Sequence, residues 1–232
     1  MQKIGIIGGL GPESTVEYYK TIITGFHDRF PEVGYPEIIV YSTNMNEAMA
    51  MVTAGQWDRL SCWILDKITS LKAAGAHFVA IASNTPHIVF DRVAPHSPLP
   101  LVSIVEATCN AAQSLNLKRC GLLGTASTMR GDFYQEAFSS SDIRIIKPLD
   151  EEQKLLHHRI FSEIELGIFN DSTREKFYSI IGRMLHEDTI DGILLACTEL
   201  PLILTENRFG IPFLNTTAIH CEAILKRCRG AS

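Results

Sequence analysis

The feature that most constrains how this chain can fold is that its pattern runs twice. An apolar strand, a glycine turn and an aromatic-bearing helix, IGIIGGLGPESTVEYY from residue 4, return as CGLLGTASTMRGDFYQ from residue 120, an offset of 116. PEIIVYS is answered by DIRIIKP, LKAAGAHFVAIASNTPH by LHEDTIDGILLACTELP, and LPLVSIVE by GIPFLNTT. In the third of these pairs the offset is 114, from Ser83 to Cys197. A drift of two residues is what loop-length change leaves inside a duplicated unit, and the whole order of strands matches.

Within each copy, strands alternate with helices, and the strands are short, continuous apolar runs. That pattern predicts parallel strands buried on both faces, with helices as the crossovers. The expected fold is α/β, with two pseudo-symmetric lobes, each a four-stranded mainly parallel sheet flanked by helices, and an active site in the cleft between them. Residues 1–98 plus 216–232 are expected to form the first lobe, because the last helix, TAIHCEAILKRC, can pack back on it. Residues 99–215 form the second. A chain of 232 residues, 46% of them hydrophobic, is long enough to fill both cores.

Local signals add detail. Ser14 reads as an N-cap, with Glu17 three residues on completing a capping box. Gln56 to Ala76 has helical spacing with Gly75 near its end. FVAIASNTPH is a strand ending in Ser83-Asn84-Thr85, and Pro86 suits the start of a helix. The Glu-rich stretch near 150 to 165 reads as a solvated helix face. The Gly8 to Pro12 turn is a poor dinucleotide fingerprint, because Pro12 intrudes and the third glycine of GxGxxG is missing.

A formal charge of -5 gives no electrostatic reason to expect nucleic acid or an anionic membrane. Met1-Gln2-Lys3 runs into IGIIGG, too short for a signal-peptide core, and no apolar run reaches membrane-spanning length, so the cytoplasm is the expected location. The six cysteines, 62, 109, 120, 197, 221 and 228, show neither CxxC pairs nor metal-ligand spacing, so no metal and no disulfide framework is expected. A small molecule remains as the partner.

The chemistry centres on DGILLACTELPLIL. The run Ile193 to Ala196 delivers Cys197 to the carboxyl end of a strand, where α/β folds place their ligands. Leu200-Pro201 starts a helix behind it, and a thiol at a helix N-terminus should have its pKa lowered toward neutral. Ser83, at the equivalent place in the first copy, carries a hydroxyl that does not store a proton near pH 7 without a base beside it. His87 is expected to turn away from it. Glu199 reads equally as a cap of its own helix or as a substrate contact. Backbone N–H groups after 83 and 197 favour a carboxylate.

GGLGPEST, SNTPH, LGTAST and LACTELP, with DGILL before the last and NTTAIH after it, resemble in that order and spacing the aspartate/glutamate racemase family, which works without pyridoxal phosphate. The resemblance covers nearly the whole chain. It implies two lobes that hold an amino acid between two cysteines, one removing the α-proton as thiolate and the other reprotonating the opposite face as thiol. Position by position, Cys197 matches the second-lobe cysteine and Ser83 stands where the first-lobe cysteine falls. The substrate-holding groups fall on Leu10, Asn84, Thr85, Thr125, Thr128 and Thr198, and Glu47, at the exit of the second strand, is counted with them.

What the resemblance implies is cofactor-free racemisation of a small, acidic amino acid or dicarboxylate by a homodimer, with the L-enantiomer favoured. Some close relatives with threonine at the position of Ser83 are still classed as racemases specific for L-aspartate and L-glutamate. The sequence departs from the family at two places. Serine at 83 removes one acid/base group, and the regions that can carry basic residues for the distal carboxylate read Asn46-Glu47-Ala48 and Glu163-Ile164-Glu165. His157, His158 and Arg159 are the available substitutes. Two alternatives keep the fold: a single-cysteine decarboxylase of malonate-type acids, and a binding protein that has lost the chemistry.

Overall fold

A computed structural model describes residues 1–206 and 208–230. The chain forms two compact units, Met1–Ala107 with the chain from Thr217 onward, and Thr108–Thr216. The division falls later than residue 98 because the short strand Leu101–Val102 pairs in parallel with the strand Phe78–Ile81, through Val79↔Leu101 and Ala80↔Val102.

The first unit contains β1 (Ile4–Gly8), α1 (Pro12–Arg29), β2 (Ile38–Ser42), α2 (Met45–Thr53), α3 (Trp57–Ala73), β3 (Phe78–Ile81), α4 (Phe90–Val93) and β4 (Leu101–Val102), after which α5 (Ile104–Ser114) begins. All strand pairs are parallel, in the order β2-β1-β3-β4. The second contains β5 (Arg119–Gly124), α6 (Ala126–Arg130), α7 (Phe133–Ser139), β6 (Arg144–Ile146), α8 (Asp150–Ser162), α9 (Asp171–Glu187), β7 (Gly192–Ala196), α10 (Leu200–Ile203) and β8 (Phe213–Asn215), followed by α11 (Thr216–Cys228). Its order is β6-β5-β7-β8, again parallel throughout.

The repeat is visible in the hydrogen bonds. Lys3 N–H donates to His77 Nδ1 at 3.1 Å while His77 N–H donates to the Lys3 carbonyl at 2.9 Å. In the second unit Arg119 N–H donates to Asp191 Oδ1 at 2.9 Å while Asp191 N–H donates to the Arg119 carbonyl at 2.9 Å. Each pair fixes the register at the start of the two central strands. Val79 N–H to the Pro100 carbonyl and Ile193 N–H to the Pro212 carbonyl, both 2.9 Å, do the same for the edge strands.

Burial of both sheet faces accounts for the apolar runs. In the first unit α11 lays Cys221, Ile224, Leu225 and Cys228 against Ile4, Ile6, Tyr18, Phe26 and Phe78, so the last helix does complete the first core. On the other face Leu60, Ile64 and Ile68 of α3 cover Ile7, Val79 and Ile81. In the second unit Leu156 and Ile160 of α8, with Phe177, Ile181 and Met184 of α9, cover Leu123, Ile193 and Leu195.

The N-terminus of α1 differs from expectation. Gly11 is the N-cap and Pro12 opens the helix, while Ser14 is buried inside the first turn and its hydroxyl donates to the Ala82 carbonyl at 3.0 Å. The sequence rule failed because a tertiary acceptor at the end of β3 claimed the hydroxyl that would have capped. Gly9 makes the preceding turn possible: its φ is +73°, and a Cβ there would lie 2.4 Å from the Thr43 carbonyl oxygen.

Candidate active site

In the first unit, three carboxyl-terminal strand ends carry the candidate residues. Leu10 follows β1 and packs into the core against α2 and α3. Glu47 lies in the first turn of α2, after β2, where its carboxylate accepts from Trp63 Nε1 at 3.2 Å and borders a surface pocket of about 380 Å³. Ser83, half-buried, and the buried Asn84 and Thr85 follow β3. Thr85 opens a 3-10 turn, Thr85–Val89, with Pro86 in its first positions as expected.

His87 shapes this turn without reaching the Ser83 hydroxyl. Its Nε2 accepts from Ile104 N–H at 3.3 Å, which leaves the proton on Nδ1 to donate to the Ser83 carbonyl at 2.9 Å. The ring is buried and stacks on Phe90, and burial, then the nearby His220, pull its pKa down to about 3. His87 is therefore a neutral brace of the backbone, and it gives Ser83 no base. His220 is packed in a similar way, donating from Nε2 to the Val102 carbonyl at 2.9 Å and accepting from Tyr18 OH at 2.8 Å. Burial brings its pKa down to about 4.

In the second unit, Thr125 is the N-cap of α6 and accepts from Thr128 N–H at 3.4 Å. The buried Thr128 sits 3.2 Å from it, hydroxyl to hydroxyl. Of the three basic candidates on α8, His157 accepts at Nδ1 from Ala126 N–H at 3.3 Å, and burial, Arg130 and His158 lower its pKa. Arg159 is ion-paired with Glu163, and His158 is exposed.

Cys197 continues the alternation of β7, on the same face as Ile193 and Leu195, toward α8 and α9. It is 8% exposed, and its Sγ donates to Glu199 Oε2 at 3.0 Å. The expected lowering of its pKa is overturned. Helix α10 has only four residues, too short for a useful dipole, and the thiol is buried beside a carboxylate. Burial first, and then the Glu199 charge and its acceptance of the thiol proton, push the Cys197 pKa well above the ordinary thiol range. The group rests as a thiol. Glu199 thus faces Cys197 and makes no side-chain cap on its own helix. Thr198, between them, is half-buried.

The Glu-rich stretch 150–165 is a solvated face in its first part, where Asp150 and Glu151 are exposed, and departs from that expectation at its end. Glu163 is buried, and its carboxylate accepts from Thr173 at 2.6 Å, from Asn170 at 3.2 Å and from Arg159, bonds that hold its pKa below the usual carboxylate value. Glu165 is half-buried, and burial with the charge of Glu199 pushes its pKa up to about 7. Sequence reading took Glu165 only as a position lacking a basic residue, because Glu199, whose charge acts on it, lies more than thirty residues away in the chain.

The register of the two sheets places Ser83 and Cys197 at equivalent positions. Ile81 pairs with Ile7 and Leu195 pairs with Leu123, so each residue stands two places beyond the partner of the corresponding central-strand residue. The doubled parallel α/β chain thus ends one of its strands in a thiol hydrogen-bonded to a buried carboxylate.

The chain belongs to the Asp/Glu/Hydantoin racemase family, whose profile matches residues 7–224. It is 23% identical over 221 residues to the broad specificity amino-acid racemase RacX of Bacillus subtilis (strain 168), covering 93% of each chain. Among solved structures it is similar to a candidate Asp/Glu racemase from Yersinia pestis, at 30% identity over 99% of this chain and 100% of that one, with a TM-score of 0.91. An aspartate racemase homologue from Pyrococcus horikoshii OT3 matches at 33% identity over the same shares, with a TM-score of 0.87. The fold expected from the repeat is the fold of these proteins, and the chain is an isomerase of the racemase type. Among the described residues, no helix is long and apolar enough to cross a membrane.

Proposed function

We propose that the protein racemises a small amino acid by removing and returning its α-proton without pyridoxal phosphate, with Cys197 as its thiol acid/base. The observation that carries this reading is the Cys197 thiol at the end of β7, which donates its hydrogen bond to Glu199 Oε2 at 3.0 Å. When Glu199 takes that proton, the thiolate can take one from the substrate Cα; when the proton returns, the thiol can reprotonate it. Ser83 stands in for the first-lobe cysteine and acts on the same substrate as a binding hydroxyl. One face of the α-carbon then has the better acid/base, so one enantiomer is processed faster, and the L form is the one proposed.

We assign the substrate's α-carboxylate to the backbone amides and polar side chains of Asn84, Thr85, Thr125, Thr128 and Thr198, with Leu10 and Glu47 at the margin. An acidic side chain on the substrate has its support from the family. The local charge gives it less, since Arg159 is paired with Glu163 and Arg174 with Asp171. A homodimer in the cytoplasm is the setting proposed by the same kinship.

Deuterium incorporation from heavy water into each enantiomer of candidate amino acids tests the reading. Exchange is expected in the wild type and lost in Cys197→Ala by a factor of about 100 or more. Ser83→Cys is expected to raise net racemisation strongly, because it supplies a thiol for the second face. Exchange that survives in Cys197→Ala would falsify the assignment.

One observation favours a second reading. A cysteine held as thiol is suited to protonating an enediolate, the step a single-cysteine decarboxylase of malonate-type acids requires. Carbon dioxide release from substituted malonates, without α-proton exchange in amino acids, would select it. Stabilisation by an amino acid with neither reaction would leave a binding protein.

A further inference from the structure

The strand ends that carry Ser83 and Cys197 hold their carbonyls by different donors. In the second unit the Cys197 carbonyl accepts from Leu200 N–H, three residues on, at 3.2 Å. At the offset of 114 the residue equivalent to Leu200 is Pro86, and the one equivalent to Pro201 is His87. Proline has no N–H, so the bond that closes the turn after Cys197 cannot form after Ser83. There the His87 imidazole supplies the donor, from Nδ1 to the Ser83 carbonyl at 2.9 Å.

The ring is held in place for that bond. Its Nε2 accepts from Ile104 N–H, at the start of α5, which keeps the proton on Nδ1. It is buried, stacks on Phe90 with 5.2 Å between ring centroids, and meets His220 edge-on at 6.2 Å. His220 is fixed in turn by Tyr18 and the Val102 carbonyl. The backbone N–H of His87 donates to the Asn84 carbonyl at 3.0 Å, so it is the side chain that reaches Ser83. The peptide between Ser83 and Asn84 is trans, and a trans peptide points its C=O and N–H in opposite directions. With the Ser83 carbonyl drawn to the buried ring, the Asn84 N–H is directed away from that ring.

We infer that His87 is a positioning residue for the reaction. It takes the place of the backbone donor that Pro86 removes, and by fixing the Ser83–Asn84 peptide it sets the orientation in which the Ser83 hydroxyl and the Asn84 amide meet the substrate's α-carboxylate. The inference rests on the reading of this strand end as carboxylate-binding in the proposed racemisation. His87 itself touches no reacting atom and transfers no proton. Its loss therefore weakens the binding of substrate and transition state alike, which raises KM and leaves kcat close to its original value.

The test uses the full chain in heavy water and reads deuterium at Cα by mass spectrometry, first with a mixture of the proteinogenic amino acids and then over a concentration series of the one that exchanges fastest. His87→Phe keeps a ring against Phe90 and lacks the N–H; its KM is expected to rise about tenfold, with kcat within about twofold of the wild type. Pro86→Ala combined with His87→Phe restores a backbone N–H three residues after Ser83, and its KM is expected to return to within about threefold of the wild type. A wild-type KM in His87→Phe overturns the inference. So does a fall in kcat with KM unchanged, the result of a smaller folded fraction alone. If His87→Phe does not fold, the double variant decides: a KM near that of the wild type supports the inference, and a raised KM or a second failure to fold overturns it. Exchange that is absent in the wild type or that persists in Cys197→Ala removes the functional reading and the role of His87 within it, so the two failures are distinct.

Discussion

Cys197 donates its thiol proton to Glu199, two residues on, with Sγ and Oε2 3.0 Å apart and both side chains buried. A carboxylate in that position stabilises the neutral thiol, both by accepting its hydrogen bond and by opposing a second negative charge. The thiol's reactivity is thus set by Glu199 more than by the short helix that follows.

Native alkylation should show this directly. Cys62 is the exposed thiol of the six and should react first with iodoacetamide, with Cys197 slow at neutral pH. Replacing Glu199 by Gln removes the opposing charge, and the Cys197 rate is expected to rise by roughly tenfold, one pKa unit's worth of thiolate. Peptide-resolved mass spectrometry measures both sites; an unchanged Cys197 rate in Glu199→Gln would contradict the coupling.

Acid should weaken the first unit. His87 and His220 stay neutral in the fold down to about 3 and about 4, while in the unfolded chain they protonate as pH falls through 6.5. The unfolded state then binds more protons, so the stability they allow is complete above pH 6.5 and is lost progressively as pH falls toward those folded-state values. The slope is at most about 1.4 kcal/mol per pH unit for each histidine. Urea unfolding across this window checks it, and His220→Gln should flatten the slope.

Gly9→Ala should destabilise the protein by roughly 3 kcal/mol, since it combines a positive φ with a Cβ that meets backbone. The displaced turn carries Leu10, so proton exchange should fall along with the melting temperature. A variant of wild-type stability would show that the turn can reopen at little cost.

Two ion pairs should behave differently. Arg183 of α9 donates from Nε and Nη2 to Glu152 of α8, both at 2.7 Å, and from Nη1 to Asp188 at 2.8 Å, largely out of solvent. Arg183→Ala leaves Glu152 unpaired there and is expected to cost about 3 kcal/mol. Arg92 with Asp58 is an exposed pair, and Arg92→Ala should change stability by less than about 0.5 kcal/mol. Chemical denaturation of the two variants compares them.

The sequence alone determined the doubled α/β architecture and the strand ends that matter, because apolar runs, glycine turns and their spacing are local signals that recur whole. The equivalence of Ser83 with Cys197, read from offsets of 116 and 114, is borne out by the strand registers. Tertiary structure decided what each group meets there. It moved the Ser14 hydroxyl from a cap to the Ala82 carbonyl, turned the His87 proton onto the Ser83 carbonyl, and set Glu199 against the thiol. It also let the charge of Glu199 act on Glu165, thirty-four positions away in the chain. A pKa depends on burial and on charges brought together from distant segments, and no pattern along the chain records those distances.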